Sequence, residues 1–61
     1  MKAYQVTFVA DYFVLSTTIG VDYDVEISRD SVIYRANEQV QNECGFSPQK
    51  FAFDIVIEER D

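Results

Sequence analysis

The chain has 61 residues and a net charge of −6, with 5 lysines and arginines against 11 aspartates and glutamates. Its one cysteine excludes an internal disulfide, and the absence of histidine removes the usual catalytic base and a common metal ligand. A hydrophobic fraction of 48% is typical of a folded protein rather than a disordered one. We therefore expect a single small domain, residues 1–61, for which oligomerisation is the remaining source of extra stability.

The first predicted element is a half-buried β-strand. Apolar side chains occupy the even positions from Tyr4 to Ala10, and this period of two is typical of a strand. A lysine near the start followed by apolar residues is also a feature of signal peptides. Here polar residues interrupt the apolar run and no small-residue cleavage site follows. No stretch reaches the roughly 18 apolar residues of a membrane span. We expect a soluble, cytoplasmic protein with no membrane partner.

A second strand is predicted from Phe13 to Val21, where the apolar side chains occupy odd positions. Its β-branched residues favour a strand over a helix. The change from even to odd across Ala10–Tyr12 predicts a hairpin. Because no Asn-Gly or Asp-Gly marks the turn, one long strand with a bulge is the alternative.

The segment Asp22–Ser28 is interpreted as an acidic loop, although its alternating pattern also fits a strand or a first helical turn. Asp22, Asp24 and Glu26 match the first, third and fifth ligand positions of a calcium-binding EF-hand loop. Isoleucines stand at the sixth and twelfth positions, where that loop needs a glycine and a glutamate. We therefore expect no metal site.

A helix is predicted from about Asp30 to Cys44. Apolar residues recur on one stripe at helical spacing, namely Val32, Ile33, Ala36, Val40 and Cys44. Ser28 or Asp30 is the expected N-cap. Gly45 suits the left-handed position after the last turn, with Pro48 beyond it. The stripe places Cys44 in the core.

The last strand is predicted from about Gln49 to Glu58, with a buried row made of Phe51, Phe53, Ile55 and Ile57. Asp54 then lies on the other face, as a solvated residue or an edge-protecting charge. The fold class is α+β: a β-β-α-β two-layer sandwich with a three-stranded, mainly antiparallel sheet in the order 2-1-3. One helix covers one face, and the crossover is expected to be right-handed.

The sequence contains no recognisable pattern of residues for catalysis or phosphate binding. Cys44 has no histidine to activate it, and the two glycines are too far apart for a phosphate-binding loop. The five basic residues do not cluster, so we expect no direct contact with nucleic acid. We predict a protein that is not an enzyme and carries no cofactor.

The sheet face opposite the helix is predicted to be an interface. It would present Val9, Tyr12, Val14, Ala52 and Val56, which is more apolar than a solvated face requires. Stacking of two such faces gives a homodimer. Pairing of exposed strand edges and an ordinary mixed surface are the alternatives.

Two strands, then "SRDSVIYRA" (28–36), "ECGFSP" (43–48) and "VIEE" (56–59), form a pattern that resembles small proteins of tailed phages, particularly those infecting marine cyanobacteria. The resemblance implies no activity. It implies a viral accessory protein that binds a host component in the host cytoplasm.

The sequence as a whole predicts a small, acidic, non-enzymatic accessory protein that binds another protein and forms a homodimer. The excess of acidic residues supports one alternative, a DNA mimic that inhibits a nucleic-acid-binding protein.

Overall fold

The computed structural model describes residues 1–60. It contains strands β1 (Lys2–Val9), β2 (Val14–Val21) and β3 (Asp54–Arg60), and one α-helix, α1 (Arg29–Cys44), between β2 and β3. A short 3₁₀ helix, Pro48–Lys50, precedes β3. The predicted α+β class and the β-β-α-β order are confirmed.

Strands β1 and β2 form an antiparallel hairpin, which runs from the pair Lys2–Val21 to the pair Val9–Val14. The N–H of Ala10 donates to the carbonyl oxygen of Phe13 at 2.9 Å and closes the turn. The predicted hairpin is therefore confirmed over the single bulged strand. No non-glycine residue among 1–60 has a positive φ, so this turn is not the left-handed type that Asn-Gly or Asp-Gly marks.

The third strand pairs with β1 in antiparallel fashion on the side opposite β2, which gives the predicted order β2-β1-β3. It begins at Asp54, later than the predicted Gln49, because the residues after Pro48 turn before they extend. The N–H groups of Phe51 and Ala52 both donate to the carbonyl oxygen of Pro48, at 3.1 and 3.0 Å. Strands β2 and β3 thus run parallel to each other, separated by β1.

Both ends of α1 have the caps that the sequence predicts. The Ser28 hydroxyl accepts a hydrogen bond from the N–H of Ser31 at 3.2 Å. At the other end Gly45 has a φ of 83° and donates its N–H to the oxygen of Gln41 at 2.9 Å. The preceding segment, 22–28, contains no helix or strand, which confirms its interpretation as a loop.

The core lies between α1 and one face of the sheet. One cluster of buried side chains joins the helix to β1 and β2: Val6, Phe8, Ile19, Val32, Ile33, Ala36 and Val40. Within residues 1–60 no polar or charged residue is buried. The predicted helical stripe is confirmed up to Val40.

Cys44 is exposed, so its predicted place in the core is wrong. Residues four apart on an α-helix are rotated by about 40° because a turn takes 3.6 residues. A stripe built on steps of four therefore moves steadily across the helix surface. Cys44 is the last step of the stripe and also the last residue of α1, which places it outside the buried face.

The predicted buried row on the last strand is half wrong. Ile55 and Ile57 are partly buried against the core, whereas Phe51 is 62% exposed and Phe53 is 68% exposed. Phe51 ends the 3₁₀ helix, so the alternation of a strand does not extend to it. The helix also packs more closely on β1 and β2 than on β3, which leaves this outer strand less covered.

Candidate interaction surface

The sheet face that points away from α1, called here the open face, is mainly apolar at one end, where Asp54 opposite Val9 is the one charged residue among those described. Val9 lies opposite Val14 on β2, and Val56 on β3 lies opposite Thr7, diagonally adjacent to Val9. Val14 is 68% exposed and Val56 is 42% exposed. The structure thus brings together three of the five predicted interface residues.

The rest of the open face is polar. The hydroxyl oxygens of Thr7 and Ser16 are 2.8 Å apart across β1 and β2. Farther along, Gln5 lies opposite Thr18 on one side and Glu58 on the other. The guanidinium of Arg60 donates to the Glu58 carboxylate at 3.0 Å. The apolar area is therefore confined to the end where the hairpin turns.

Tyr12 and Ala52, the other two predicted interface residues, have different positions. Tyr12 lies in the hairpin turn and is 98% exposed. Ala52 packs against the core cluster, so its predicted place on the open face is wrong. Its N–H is bonded to Pro48 within a turn that precedes β3, so the side-chain alternation of a strand does not fix its direction.

Two exposed phenylalanines at this end were not predicted as surface residues. The N–H of Phe53 donates to the oxygen of Val9 at 2.9 Å, which places Phe53 beside the hairpin end. The ring centroids of Phe51 and Phe46 are 6.3 Å apart. The ring of Phe46 also packs edge-on against Phe13, with centroids 5.5 Å apart. Pro48 was the sequence signal, because proline favours the second position of a turn, and here it begins the 3₁₀ helix that delays the strand.

We define the hairpin-end patch as the exposed or half-exposed apolar side chains at this end of the molecule. Val9, Val14 and Val56 lie on the open face, Tyr12 lies in the hairpin turn, and Phe51 and Phe53 precede β3.

Side chains of α1 cover part of both sheet edges. Gln39 donates through Nε2 to the carbonyl oxygen of Thr18 on β2 at 3.0 Å and also contacts the Thr17 hydroxyl. Arg29 donates to the carbonyl oxygen of Ile55 on β3 at 3.2 Å. The N–H of Ile55 donates to the Asp54 carboxylate at 3.0 Å. Each outer strand thus keeps only part of its backbone free.

The two outer strands differ in charge. Strand β2, with the sequence VLSTTIGV, contains no charged residue, whereas β3 carries Asp54, Glu58, Glu59 and Arg60. Charged residues on an edge strand oppose pairing with another chain. Strand β3 therefore has a protection that β2 lacks.

An open groove of about 700 Å³ lies between the loop before α1 and the first turns of the helix, lined by Val25, Tyr34, Arg35 and neighbouring residues. Serines and acidic residues line it, but it offers no histidine or cysteine beside them. In the described part of the chain, no three acidic or cysteine side chains are placed to hold a metal ion. None of the helices there is long and apolar enough to cross a membrane.

Comparisons of the chain with protein-family models, with curated proteins and with solved structures found no match.

Proposed function

We propose that this chain is a small, acidic, non-enzymatic accessory protein that binds another protein and works as a homodimer, with the apolar end of its open face in the contact. The single observation that carries the proposal is the hairpin-end patch. Its side chains remain at the surface although the rest of the open face is polar. Apolar side chains gathered at one end of a small domain are typical of a contact surface.

The composition of the patch supports a protein partner. Aromatic residues are enriched in protein interfaces and charged residues are depleted from their centres. Tyr12, Phe51 and Phe53 are each more than half exposed, so they have most of their apolar area still to bury. Burial stabilises a complex by roughly 25 cal/mol per Å² of apolar surface.

A second copy of the chain is the simplest first partner. A domain of this length buries a small core and gains stability from association. A two-fold dimer uses the same surface on both copies, so the apolar end of one chain supplies both halves of the contact. The resemblance to tailed-phage proteins supports a viral setting, in which the second partner is a host protein in the host cytoplasm.

The test compares two exposed side chains on different parts of the surface. Val14→Ala shortens an apolar side chain of the hairpin-end patch on β2, whereas Tyr34→Ala shortens one of similar exposure on α1, 68% against 65%. Sedimentation equilibrium should show a weaker dimer for Val14→Ala and an unchanged dimer for Tyr34→Ala. Equal dimerisation of both variants and the parent, with circular dichroism confirming the fold, would contradict a role for the patch.

A further inference from the structure

The outer edge of β2 has backbone groups that point away from the sheet. The bond from Ala10 to the Phe13 carbonyl turns the backbone of Phe13 toward β1. Successive residues of an antiparallel strand direct their backbone N–H and C=O groups to its two sides alternately. The backbone groups of Leu15 therefore also point toward β1, while those of Val14, Ser16 and Thr18 point outward. The bond from the Gln39 side chain to the Thr18 carbonyl agrees with this alternation.

Within residues 1–60, the outward backbone of Val14 and Ser16 has no side-chain hydrogen-bond partner, whereas Thr18 is bonded to Gln39. Val14 and Ser16 are both exposed. The unoccupied part of the edge is therefore short, and it lies next to the hairpin-end patch, which includes Val14.

Charge distinguishes the edges through which two copies of the chain can pair. Two copies of a chain with a net charge of −6 repel each other, and like charges placed opposite one another destabilise a strand pair. Pairing of two β3 strands would bring Glu58 and Glu59 of both copies together. Strand β2 has no charged residue, so two β2 strands can meet with the least repulsion along the contact.

We propose that two copies of the chain pair antiparallel through their β2 edges, about a two-fold axis at Leu15, with Val14 of each copy opposite Ser16 of the other. This inference rests on the proposed homodimer and specifies its geometry: the copies join along the β2 edge beside Val14, not by stacking their open faces. A hydrogen-bonded antiparallel pair exchanges both N–H···O bonds, so this register satisfies the unoccupied groups of Val14 and Ser16.

Neighbouring registers fit less well. An axis at Ser16 would place Val14 opposite Thr18, whose carbonyl is already bonded to Gln39. An axis at Val14 would place Ser16 opposite Tyr12, which lies in the hairpin turn outside the strand. The axis at Leu15 makes its central hydrogen-bonded pairs from Val14 and Ser16 alone, which lie in β2 and carry no bond from the helix.

The proposed pairing joins two three-stranded sheets into one continuous sheet. The Val14 side chains of both copies then lie on the same open face, so the two hairpin-end patches become neighbours. On the helix side, the half-buried Leu15 side chains of the two copies meet across the axis. The dimer thus forms one combined apolar surface for a further protein partner.

The register can be tested by cysteine cross-linking in a Cys44→Ser background. Residues opposite each other in a hydrogen-bonded antiparallel pair have Cα atoms about 5.5 Å apart, within the range for a disulfide. We expect Val14→Cys mixed with Ser16→Cys to form a disulfide dimer under mild oxidation, well above the yield of either variant alone. Glu58→Cys, on β3, mixed with either one is the matched control and should cross-link poorly.

The other outcomes separate this inference from the proposed homodimer. Cross-linking of Ser16→Cys alone, or of Val14→Cys alone, would overturn the register. A dimeric mass without enriched cross-linking in the Val14→Cys and Ser16→Cys mixture would overturn edge pairing and leave the homodimer standing. A monomeric mass would overturn both.

A proline substitution provides an independent test. The N–H of Ser16 faces away from β1, so Ser16→Pro removes a donor that the monomer does not use in its sheet. We expect this variant to keep the strand signal in circular dichroism and to lose dimerisation. A folded Ser16→Pro variant that dimerises as well as the parent would contradict the proposal. If the Ser16→Pro variant does not fold, the cysteine cross-linking experiment tests the pairing instead.

Discussion

The side-chain amide of Gln39 donates to the carbonyl oxygen of Thr18 at 3.0 Å and so ties the middle of the helix to the outer edge of the sheet. Arg29, at the start of the same helix, donates to the carbonyl of Ile55 on the opposite edge at 3.2 Å. A single helix thereby helps to close both edges of a sheet too narrow to have more than one inner strand. Another chain can pair only with the edge backbone groups that these two side chains do not bond.

The Gln39 contact should contribute measurably to stability. Gln39→Ala removes the bonds to Thr17 and Thr18, and we expect the free energy of unfolding to fall by about 1 kcal/mol, the usual net value of a hydrogen bond. Gln41→Ala is the matched control because that side chain is exposed, and its effect should stay within about 0.5 kcal/mol. Urea unfolding of both variants measures the difference, and equal effects would show that the contact adds nothing.

The end of the helix should depend on the glycine at position 45. Gly45 has a φ of 83°, and an added Cβ would meet no atom within 4 Å, so the cost of Gly45→Ala is purely conformational. We expect a loss of about 1 kcal/mol from the left-handed backbone. Thermal or urea unfolding measures it.

Gly20→Ala is the control for that substitution. Its new Cβ would approach the sulfur of Met1 at 2.6 Å, but the Met1 side chain is 72% exposed and can move away. We expect a change within about 0.5 kcal/mol. A larger loss for Gly20→Ala than for Gly45→Ala would contradict the assignment of the helix end.

The thiol of Cys44 should react without unfolding of the chain. Cys44 is free and exposed at the end of α1, so a thiol reagent such as Ellman's reagent should label it at similar rates in buffer and in concentrated urea. A core thiol would be labelled only as the chain unfolds. Strong protection in buffer would show that Cys44 is covered, and the core position expected from the sequence would then be restored.

Salt should strengthen the dimer. Each copy carries a net charge of −6, and the proposed contact between uncharged strands gains nothing from opposite charges. Raising the ionic strength from about 0.01 to about 1 M shortens the screening length from about 30 to about 3 Å, so the dissociation constant should fall. Sedimentation equilibrium at both ends of this range measures it. A dimer that weakens with salt would indicate contacts between acidic and basic residues instead.

Most of the fold is encoded in local patterns. The switch from even to odd apolar positions after Ala10 marks the hairpin, and Ser28 and Gly45 mark the two ends of the helix. These signals depend on neighbouring residues only, so they can be interpreted without knowledge of the tertiary structure. The strand order followed from antiparallel pairing of short strands, and the structure has the same order.

The errors come from features that a local pattern does not contain. Phe51 and Phe53 continue the alternation of Ile55 and Ile57 in the sequence, but the turn after Pro48 takes Phe51 out of the strand. Cys44 continues the steps of four along the helix, but each step turns by about 40°, and the sequence does not show how wide the covered face of the helix is. Ala52 was misplaced for the same reason as Phe51. The bonds from Gln39 and Arg29 to the sheet edges join residues at least 21 positions apart, and no sequence pattern indicates them.

The mass of the chain in solution tests the central claim most directly. Sedimentation equilibrium at micromolar concentration should give a species of twice the chain mass of 7.1 kDa, and Val14→Ala should shift the population toward the single chain. A mass of 7.1 kDa for the parent at that concentration, in both low and high salt, would contradict the homodimer.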